Sequence, residues 1–309
     1  MNIGILTTNQ VEDDQRLLEV AIQKGHTASL LDLQFVSIEL NQGKAEIYYK
    51  NDNITDNFDT ILPRINVTYT DYGINVVQHF LSAKTYVSEQ PEALRLGRDK
   101  FKCLQRLLDN GLPFPKTGIA YSGANFFPLY SDLKFPLVIK LIESTEGAGI
   151  FLAKTIKEAE NFIKTFGLLK ASFLLQEFVA ESVGVDYRAF VVGDKIVAAM
   201  CRESQDDDFR ANVSLGGHSH AVELTPEEQD MVLKAARSID INVAGVDFLR
   251  SSRGPLLLEV NVSPDFTGQQ GIERVTGVDV AGEIINFAVQ QTIVHQRTSE
   301  LTLAVAEPS

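Results

Sequence analysis

The sequence predicts a chain of mixed α/β and α+β class, with a small open α/β domain preceding a strand-rich region. Three observations carry this. Strand and helix patterns alternate over residues 1–95, which favours a largely parallel sheet. From Pro113 and Pro115 onward the spacing turns hairpin-like. Near the C-terminal end, two apolar strands flank a Ser-Ser-Arg-Gly turn and carry Asp247, Glu259 and Asn261.

In order, Asn2–Leu6 reads as a buried strand. Glu12–Lys24 has helical spacing at Leu17, Leu18, Ala21 and Ile22 and stops at Gly25. Thr27–Leu33 and Thr60–Ile65 are further strands, Asp71–Ala83 a helix and Tyr86–Ser88 a short strand. Pro91–Asn110 reads as one helix ending at Gly111. Strands at Leu137–Ile142, Ile150–Ala153 and Leu174–Val179 surround a helix at Ile156–Phe166. Val183–Val192 and Lys195–Cys201 form a hairpin around Gly193-Asp194. Thr225–Ile239 opens with Thr-Pro-Glu-Glu, a helix-start pattern with threonine as cap and proline in the first turn. Asp279–Gln291 is amphipathic, and residues 292–309 lose the periodicity, as expected of a mobile tail. The boundaries are therefore 1–95, 96–291 and 292–309.

At 309 residues, with 44% hydrophobic and 22% charged residues, the chain has the balance of a soluble globular enzyme. A net charge of −13 argues against nucleic acid as a partner, since no broad basic surface offsets phosphate repulsion. Cys103 and Cys201 are too few for a disulfide framework. The N-terminus lacks a basic region and a cleavage signature, and no apolar run approaches about 18 residues. These features point to a cytoplasmic protein without a membrane partner.

The hairpin is the most informative segment. Residues i and i+2 share a face of a strand, so Glu259 and Asn261 point the same way. A five-residue loop from Ser251 to Pro255 pairs Arg250 with Leu256 and sets Asp247 opposite Glu259. Val246, Phe248, Leu258 and Val260 then share the apolar face. Two carboxylates and an amide oxygen suit magnesium or manganese. A half-buried hairpin with a wet polar face is the plainer alternative.

Other residues are weaker signals taken singly. Lys140 interrupts an apolar strand, and the stretch 143–149 after it, Glu-Ser-Thr-Glu-Gly-Ala-Gly, could fold backbone N–H groups over phosphate. A hairpin with a snorkelling lysine fits equally well. LLQEFV, ending at Val179, could present backbone groups and Glu177 to a purine edge, with Asp186 in range of ribose; a solvated acidic turn is as good an account. Arg188 and Arg210 are candidates for binding phosphate oxygens, although an isolated arginine is more often a surface charge, and Asn212 could reach the same ligand. His218 and His220 in GGHSH resemble a metal pair only superficially, because paired histidines in Gly-rich loops are usually solvated.

In this order the segments resemble the ATP-grasp superfamily over Pro91–Gln291, and more closely its RimK-type ligases, which add glutamate to the C-terminus of a ribosomal small-subunit protein. FDTILPRI, RDKFKCLQRLLDNGLPFPKTGIA, VVGDKIVAA, DFRAN, AGVDFLRSSRGPLLLEVNVSP and TGVDVAG carry the resemblance. It implies an ATP-grasp fold behind a pre-ATP-grasp domain, with ATP between two α+β subdomains. Lys100 and Lys140 would contact phosphates, Thr145, Gly147 and Gly149 would belong to a lid, and Gln176, Glu177, Phe178 and Val179 would surround adenine. Asp186 would meet the ribose, while Arg210, Ala211 and Asn212 would face the terminal phosphates. Arg188 and Arg210 would be the catalytic arginines. Asp247, Glu259 and Asn261 would hold two magnesium or manganese ions. The implied reaction joins a carboxylate and an amine through an acyl phosphate, with a glutamate-like amino acid and a protein or peptide C-terminus as partners. A homodimer or homotetramer is implied as well. A catalytically silent ATP-binding module, or a ligase making a small peptide-like metabolite, are the competing functions.

Two departures bear on the acceptor. Where polyglutamate-forming relatives carry basic residues, this chain has Glu203-Ser-Gln-Asp-Asp-Asp208, which would repel a polyglutamate chain. The segment SPDFTGQQGIE is also longer than the family pattern. The second borders the expected acceptor site, so the acceptor is expected to be less acidic than polyglutamate, or another amino acid or peptide.

Overall fold

The computed structural model describes residues 1–9, 11–120, 134–142, 149–205, 209 and 217–306. The first domain contains β1 (Asn2–Thr7), α1 (Glu12–Gln23), β2 (Thr27–Asp32), β3 (Val36–Asn41), β4 (Lys44–Tyr49), β5 (Asp52–Asn53), β6 (Thr60–Pro63), α2 (Thr70–Ser82) and β7 (Tyr86–Val87). Its main sheet is wholly parallel in the order β2-β1-β6-β7, as the strand–helix alternation predicts. The antiparallel meander β3-β4-β5 is an addition the sequence did not announce. Its strands are short and largely exposed, so they lack a strong apolar alternation.

Two helices, α3 (Pro91–Arg98) and α4 (Lys100–Asp109), replace the single helix expected over Pro91–Asn110. The break falls at Asp99, whose ψ of 101° is extended and whose carboxylate accepts from the backbone N–H groups of Phe101 and Lys102. Aspartate is a strong N-cap, and a start signal here outweighs continuous helical spacing. The break sets Lys100 at the head of α4, where it borders the larger of two cavities.

Next come β8 (Thr117–Ala120), β9 (Leu137–Leu141), β10 (Ile150–Ala153), α5 (Ile156–Leu168) and β11 (Phe173–Glu177). They form an antiparallel sheet in the order β10-β9-β11-β8. Leu137, Ile139, Phe173 and Leu175 on its inner face pack with Ala159, Ile163 and Phe166 of α5.

The last unit comprises β12 (Val185–Val192), β13 (Lys195–Glu203), β14 (His218–Ala221), α6 (Pro226–Ser238), β15 (Val243–Ser251), β16 (Gly254–Asn261), α7 (Ile272–Thr276) and α8 (Val280–Ala306). Its five strands run β14-β13-β12-β15-β16, all antiparallel. α6 starts with a complete capping box between Thr225 and Glu228. α8 runs well past Gln291, where its end was expected, because no glycine or proline interrupts residues 283–307. Ala281, Ile284 and Ile285 of α8 share a core with Leu17 of α1, Ile3 and Ile5 of β1 and Phe190 of β12. Each isoleucine, leucine or phenylalanine among them contributes roughly 1.5–3 kcal/mol on burial, so this shared core fixes the first domain against the five-stranded sheet. Among the described residues, no helix is long and apolar enough to cross a membrane.

The hairpin needed one correction. β15 and β16 meet at a two-residue turn, with Ser251 opposite Gly254 and Arg250 opposite Pro255, rather than at a five-residue loop. A bulge between Asp247 and Phe248 then shifts the register by one residue. Asp247 still faces Glu259, but Leu257 takes the fully buried place beside Phe248, and Leu258 turns to line the cleft.

Candidate functional site

Two cavities meet on the cleft side of the five-stranded sheet. The smaller, about 110 Å³, lies between that sheet and β9–β11. Its apolar walls include Val138, Phe178, Val179, Leu249 and Leu258, and its polar groups include Lys140, Gln176, Asp186 and Glu259. The larger, about 660 Å³, opens toward the first domain, past Arg64, Arg98, Lys100, Arg188 and Asn261. Ile150, Arg202, Leu258 and Glu259 border both.

At this junction the sheet places charged side chains in direct cross-strand register. Asp247 pairs with Arg188 on one side and Glu259 on the other, and Asp186 pairs with Arg202. Arg188 donates through Nε and Nη2 to the two oxygens of Asp247, each at 2.7 Å. Arg202 donates to Asp186 at 2.6 and 2.8 Å and reaches Asp247 Oδ2 at 3.0 Å. Burial alone would raise the Asp247 carboxyl, but the two guanidiniums hold it down at about 2. Asp186 moves upward because burial and the nearby Asp247 outweigh Arg202.

The metal-type donors converge. The Asn261 amide nitrogen lies 3.2 Å from Asp247 Oδ2 and 3.3 Å from Glu259 Oε1. Half a turn of that amide exchanges its nitrogen for its oxygen, giving three oxygen donors around one point. Such a set fits a hard divalent cation. Asp247 would then be the donor whose oxygens the arginines also claim.

Lys140 sits on the wall of the smaller cavity. Burial lowers its ammonium and Lys100 lowers it further, while Glu259, Asp186 and Asp247 pull the other way. A depressed but partnered lysine of this kind gains from any anion entering the cleft. Gly149, with φ +77°, accepts from the backbone N–H of Leu141 through its carbonyl. A Cβ there would lie 3.0 Å from the Leu141 side chain, so crowding adds to the left-handed backbone in favouring glycine at the turn back into β10.

The structure thus brings Lys140, Gln176, Glu177, Phe178, Val179 and Asp186 to one cavity and Lys100 and Arg188 to the adjoining one. Gln176 is buried and donates to Thr117 Oγ1 at 2.8 Å. Glu177 is tied to the backbone N–H of Lys116 and to Arg253, so its side chain braces the hairpin turn. Phe178 packs edge-on against Phe209 at 6.3 Å. Thr145, Gly147, Arg210, Ala211, Asn212 and the acidic run Asp206–Asp208 lie outside the described residues.

Sequence reasoning missed Arg202, although it carries the same signal as Lys140, a charge inside an otherwise apolar strand. It also missed Asp13, Asp14 and Arg64. Asp13 Oδ1 accepts from the backbone N–H groups of Phe266 and Thr267 at 2.8 Å, and Arg64 donates to the Pro264 carbonyl at 3.0 Å. The Arg64 guanidinium lies 5.5 Å from the Phe266 ring centre, and Asp14 contacts Thr7 and Arg64. The first domain therefore holds the segment that follows Asn261.

Residues 97–288 match the RimK-like ATP-grasp domain and residues 1–94 the RimK PreATP-grasp domain. The chain belongs to the RimK-like ATP-grasp family. A probable alpha-L-glutamate ligase of Chromohalobacter salexigens is 41% identical over 289 residues, covering 93% of this chain and 94% of the relative. One from Aliivibrio fischeri is 41% identical over 300 residues, covering 96% and 98%. The RimK domain ATP-grasp protein of Sphaerobacter thermophilus shares the fold at TM-score 0.72 and 19% identity, over 93% of this chain and 99% of that one. PsnB, an ATP-grasp ligase solved with a minimal precursor, Mg and ADP, superposes at TM-score 0.71 and 20% identity, over 94% and 98%. Membership in this RimK-like family makes the chain an ATP-grasp ligase, with the pre-ATP-grasp sheet and the ATP-grasp fold expected from its sequence.

Proposed function

We propose that the protein is an alpha-L-glutamate ligase that uses ATP to join the amine of glutamate to a carboxylate of a protein or peptide. The observation that carries this is the junction of the two cavities at Glu259 and Arg202. An apolar slot with a buried lysine suits a nucleotide base and its phosphates, and the larger mixed-charge cavity suits an amino acid together with a carboxylate. The name carried by relatives at about 41% identity supports the same choice of substrate.

In this function Lys100 and Lys140 neutralise ATP phosphates, and Gln176 through Val179 line the base. Asp186 turns from Arg202 toward the ribose. The carboxylate oxygen attacks the γ-phosphorus, the bond to ADP breaks, and an acyl phosphate remains. The amine then attacks the acyl carbon, loses a proton and expels phosphate. Arg188, Arg202 and Arg210 stabilise charge on the transferred group, while Ala211 and Asn212 flank it. Asp247, Glu259 and Asn261 would hold magnesium or manganese as two ions, which would supply further charge neutralisation for the phosphates. No side-chain nucleophile is required.

The test is mass spectrometry of products after incubating protein, ATP, magnesium and glutamate with candidate peptides, alongside ADP release. A mass increase of one or more glutamate residues, dependent on ATP, is the expected outcome. Nucleotide binding without ADP formation on any acceptor would instead identify a silent binding module.

A further inference from the structure

The outer face of β13 and β14 carries a second constellation, which the ligase chemistry leaves unused. Cys201 lies directly opposite His220, and Glu203 opposite His218. Side chains alternate across a strand, so these four occupy one face in a two-by-two grid. Arg202 and Ser219, between them, point to the other face, where Arg202 borders the cleft. The sulfur of Cys201, a carboxylate oxygen of Glu203 and a ring nitrogen of His220 lie within 4.8 Å of one another. The Cys201 sulfur is 3.9 Å from Glu203 Oε1. His218 stands beside this group, opposite Glu203 in the register, and its Nε2 contacts the Gln205 amide.

We propose that Cys201, Glu203, His218 and His220 form a binding site for a zinc-class transition metal ion. A thiolate and two imidazoles are borderline-to-soft donors that select zinc-class ions over magnesium. The site is therefore chemically distinct from the all-oxygen set at Asp247, Glu259 and Asn261. Ligand atoms bound tetrahedrally at about 2.0–2.3 Å sit roughly 3.3–3.8 Å apart, so shifts of about 1 Å bring the Cys201, Glu203 and His220 donors together, and His218 joins them by turning away from Gln205. Glu203, His218 and His220 are exposed and can make that movement, whereas Cys201 is buried and fixed. Tyr187 on β12 stands directly across from Cys201, the place an outer partner of a metal ligand would occupy. On coordination the thiol proton passes to solvent.

The position gives such an ion a use. β13 ends at Glu203 and β14 begins at His218, so the ion would join the two ends of the chain stretch that contains Arg210 and Asn212. It would also tie β14, the edge strand, to its neighbour. This site stands independently of the glutamate assignment.

The test is cobalt(II) titration of chelator-treated full-length protein in excess magnesium, followed by displacement with zinc. Wild-type protein should show a thiolate-to-cobalt charge-transfer band that zinc removes, and zinc should raise its Tm. Cys201→Ser should abolish the band. His218→Ala and His220→Ala, at exposed positions where folding is not at risk, should each bind at least about tenfold more weakly, since even outer-partner losses cost about 10–100-fold. Absence of the band in wild-type protein would overturn the proposal. So would unchanged binding in either histidine variant, or persistence of the band in Cys201→Ser.

Discussion

Arg188 and Asp247 are direct cross-strand partners on β12 and β15, joined by two parallel hydrogen bonds of 2.7 Å. The pair is nearly sealed from solvent, with side-chain exposures of 15% and 4%. Removing one member of such a pair costs about 3–5 kcal/mol, and Arg202 beside Asp247 brings the effect to the low end. Arg188→Lys keeps the charge and loses the two-pronged geometry. We expect it to fold and to lose kcat by about 100-fold or more, as when an aimed donor leaves a transition state. ADP release with circular dichroism as the folding control measures this, and near-normal kcat would remove Arg188 from the phosphoryl-transfer machinery.

Glu259 borders both cavities and shares the Asn261 amide with Asp247. Glu259→Gln preserves its shape and removes its charge, which a divalent cation needs more than a hydrogen-bond donor does. Turnover should vanish in magnesium and in manganese while Tm stays close to that of the wild type. Normal metal-dependent turnover in this variant would show that the oxygen face does not hold the working ions.

Much of this is legible in the sequence. The parallel sheet followed from alternating helix and strand patterns, and the facing of Asp247 and Glu259 followed from strand periodicity. Their facing survived for a reason the sequence did not display: a tighter turn and a bulge shift the register by one residue each and cancel at Asp247, while Leu257 and Leu258 exchange faces. Periodicity reports a face only while pairing is regular. The break at Asp99 was hidden because the apolar spacing continues across it, and Arg202 because a single charge in a strand does not disclose its partner. Asp13 and Asp14 looked like ordinary acids in a helix's first turn, and their role depends on Arg64 and Phe266, distant in sequence.

Lys140 stands opposite Ile150 on β10 and reaches into the smaller cavity among Glu259, Asp186 and Asp247. If its ammonium meets ATP phosphates, Lys140→Met removes a hydrogen bond to a charged group, worth about 1.5–3 kcal/mol. The KM for ATP should therefore rise roughly 10–100-fold, with the KM for glutamate much less affected. Steady-state kinetics with each substrate varied in turn separates these, and equal rises in both would assign Lys140 to general stability of the cleft.

The run Asp206–Asp208 directly precedes Phe209 in sequence, and Phe209 lines the smaller cavity. Like charge there should disfavour an acceptor that already ends in several glutamates. Changing all three to serine should increase extension of polyglutamate acceptors and leave addition to a neutral C-terminus largely unchanged. Peptide products counted by mass spectrometry decide it; efficient extension by the wild type, unaltered by the change, would sink the idea.

Glu89 is 2% exposed and clamps the first domain to the five-stranded sheet, accepting from the backbone N–H groups of Asn242 and Val243 at 2.9 Å each. The Asn242 amide returns a bond to the Ser88 carbonyl at 2.6 Å. Burial pushes the Glu89 carboxyl up to about 8, against the two N–H donors and with a small push from Asp240. An unfolded glutamate titrates near about 4.3, so between that pH and 8 the native state keeps a proton the unfolded chain has released. This contribution to stability is complete below the unfolded value, falls as pH rises and is lost beyond 8, with a slope of at most about 1.4 kcal/mol per pH unit. Urea midpoints from pH 6 to 9, above the range of most carboxylates, should decline in the wild type and level off past 8. Glu89→Gln should lack the decline. A flat wild-type profile would mean that the two N–H donors hold the group as a carboxylate throughout, with hydrogen bonding at the domain junction outweighing burial.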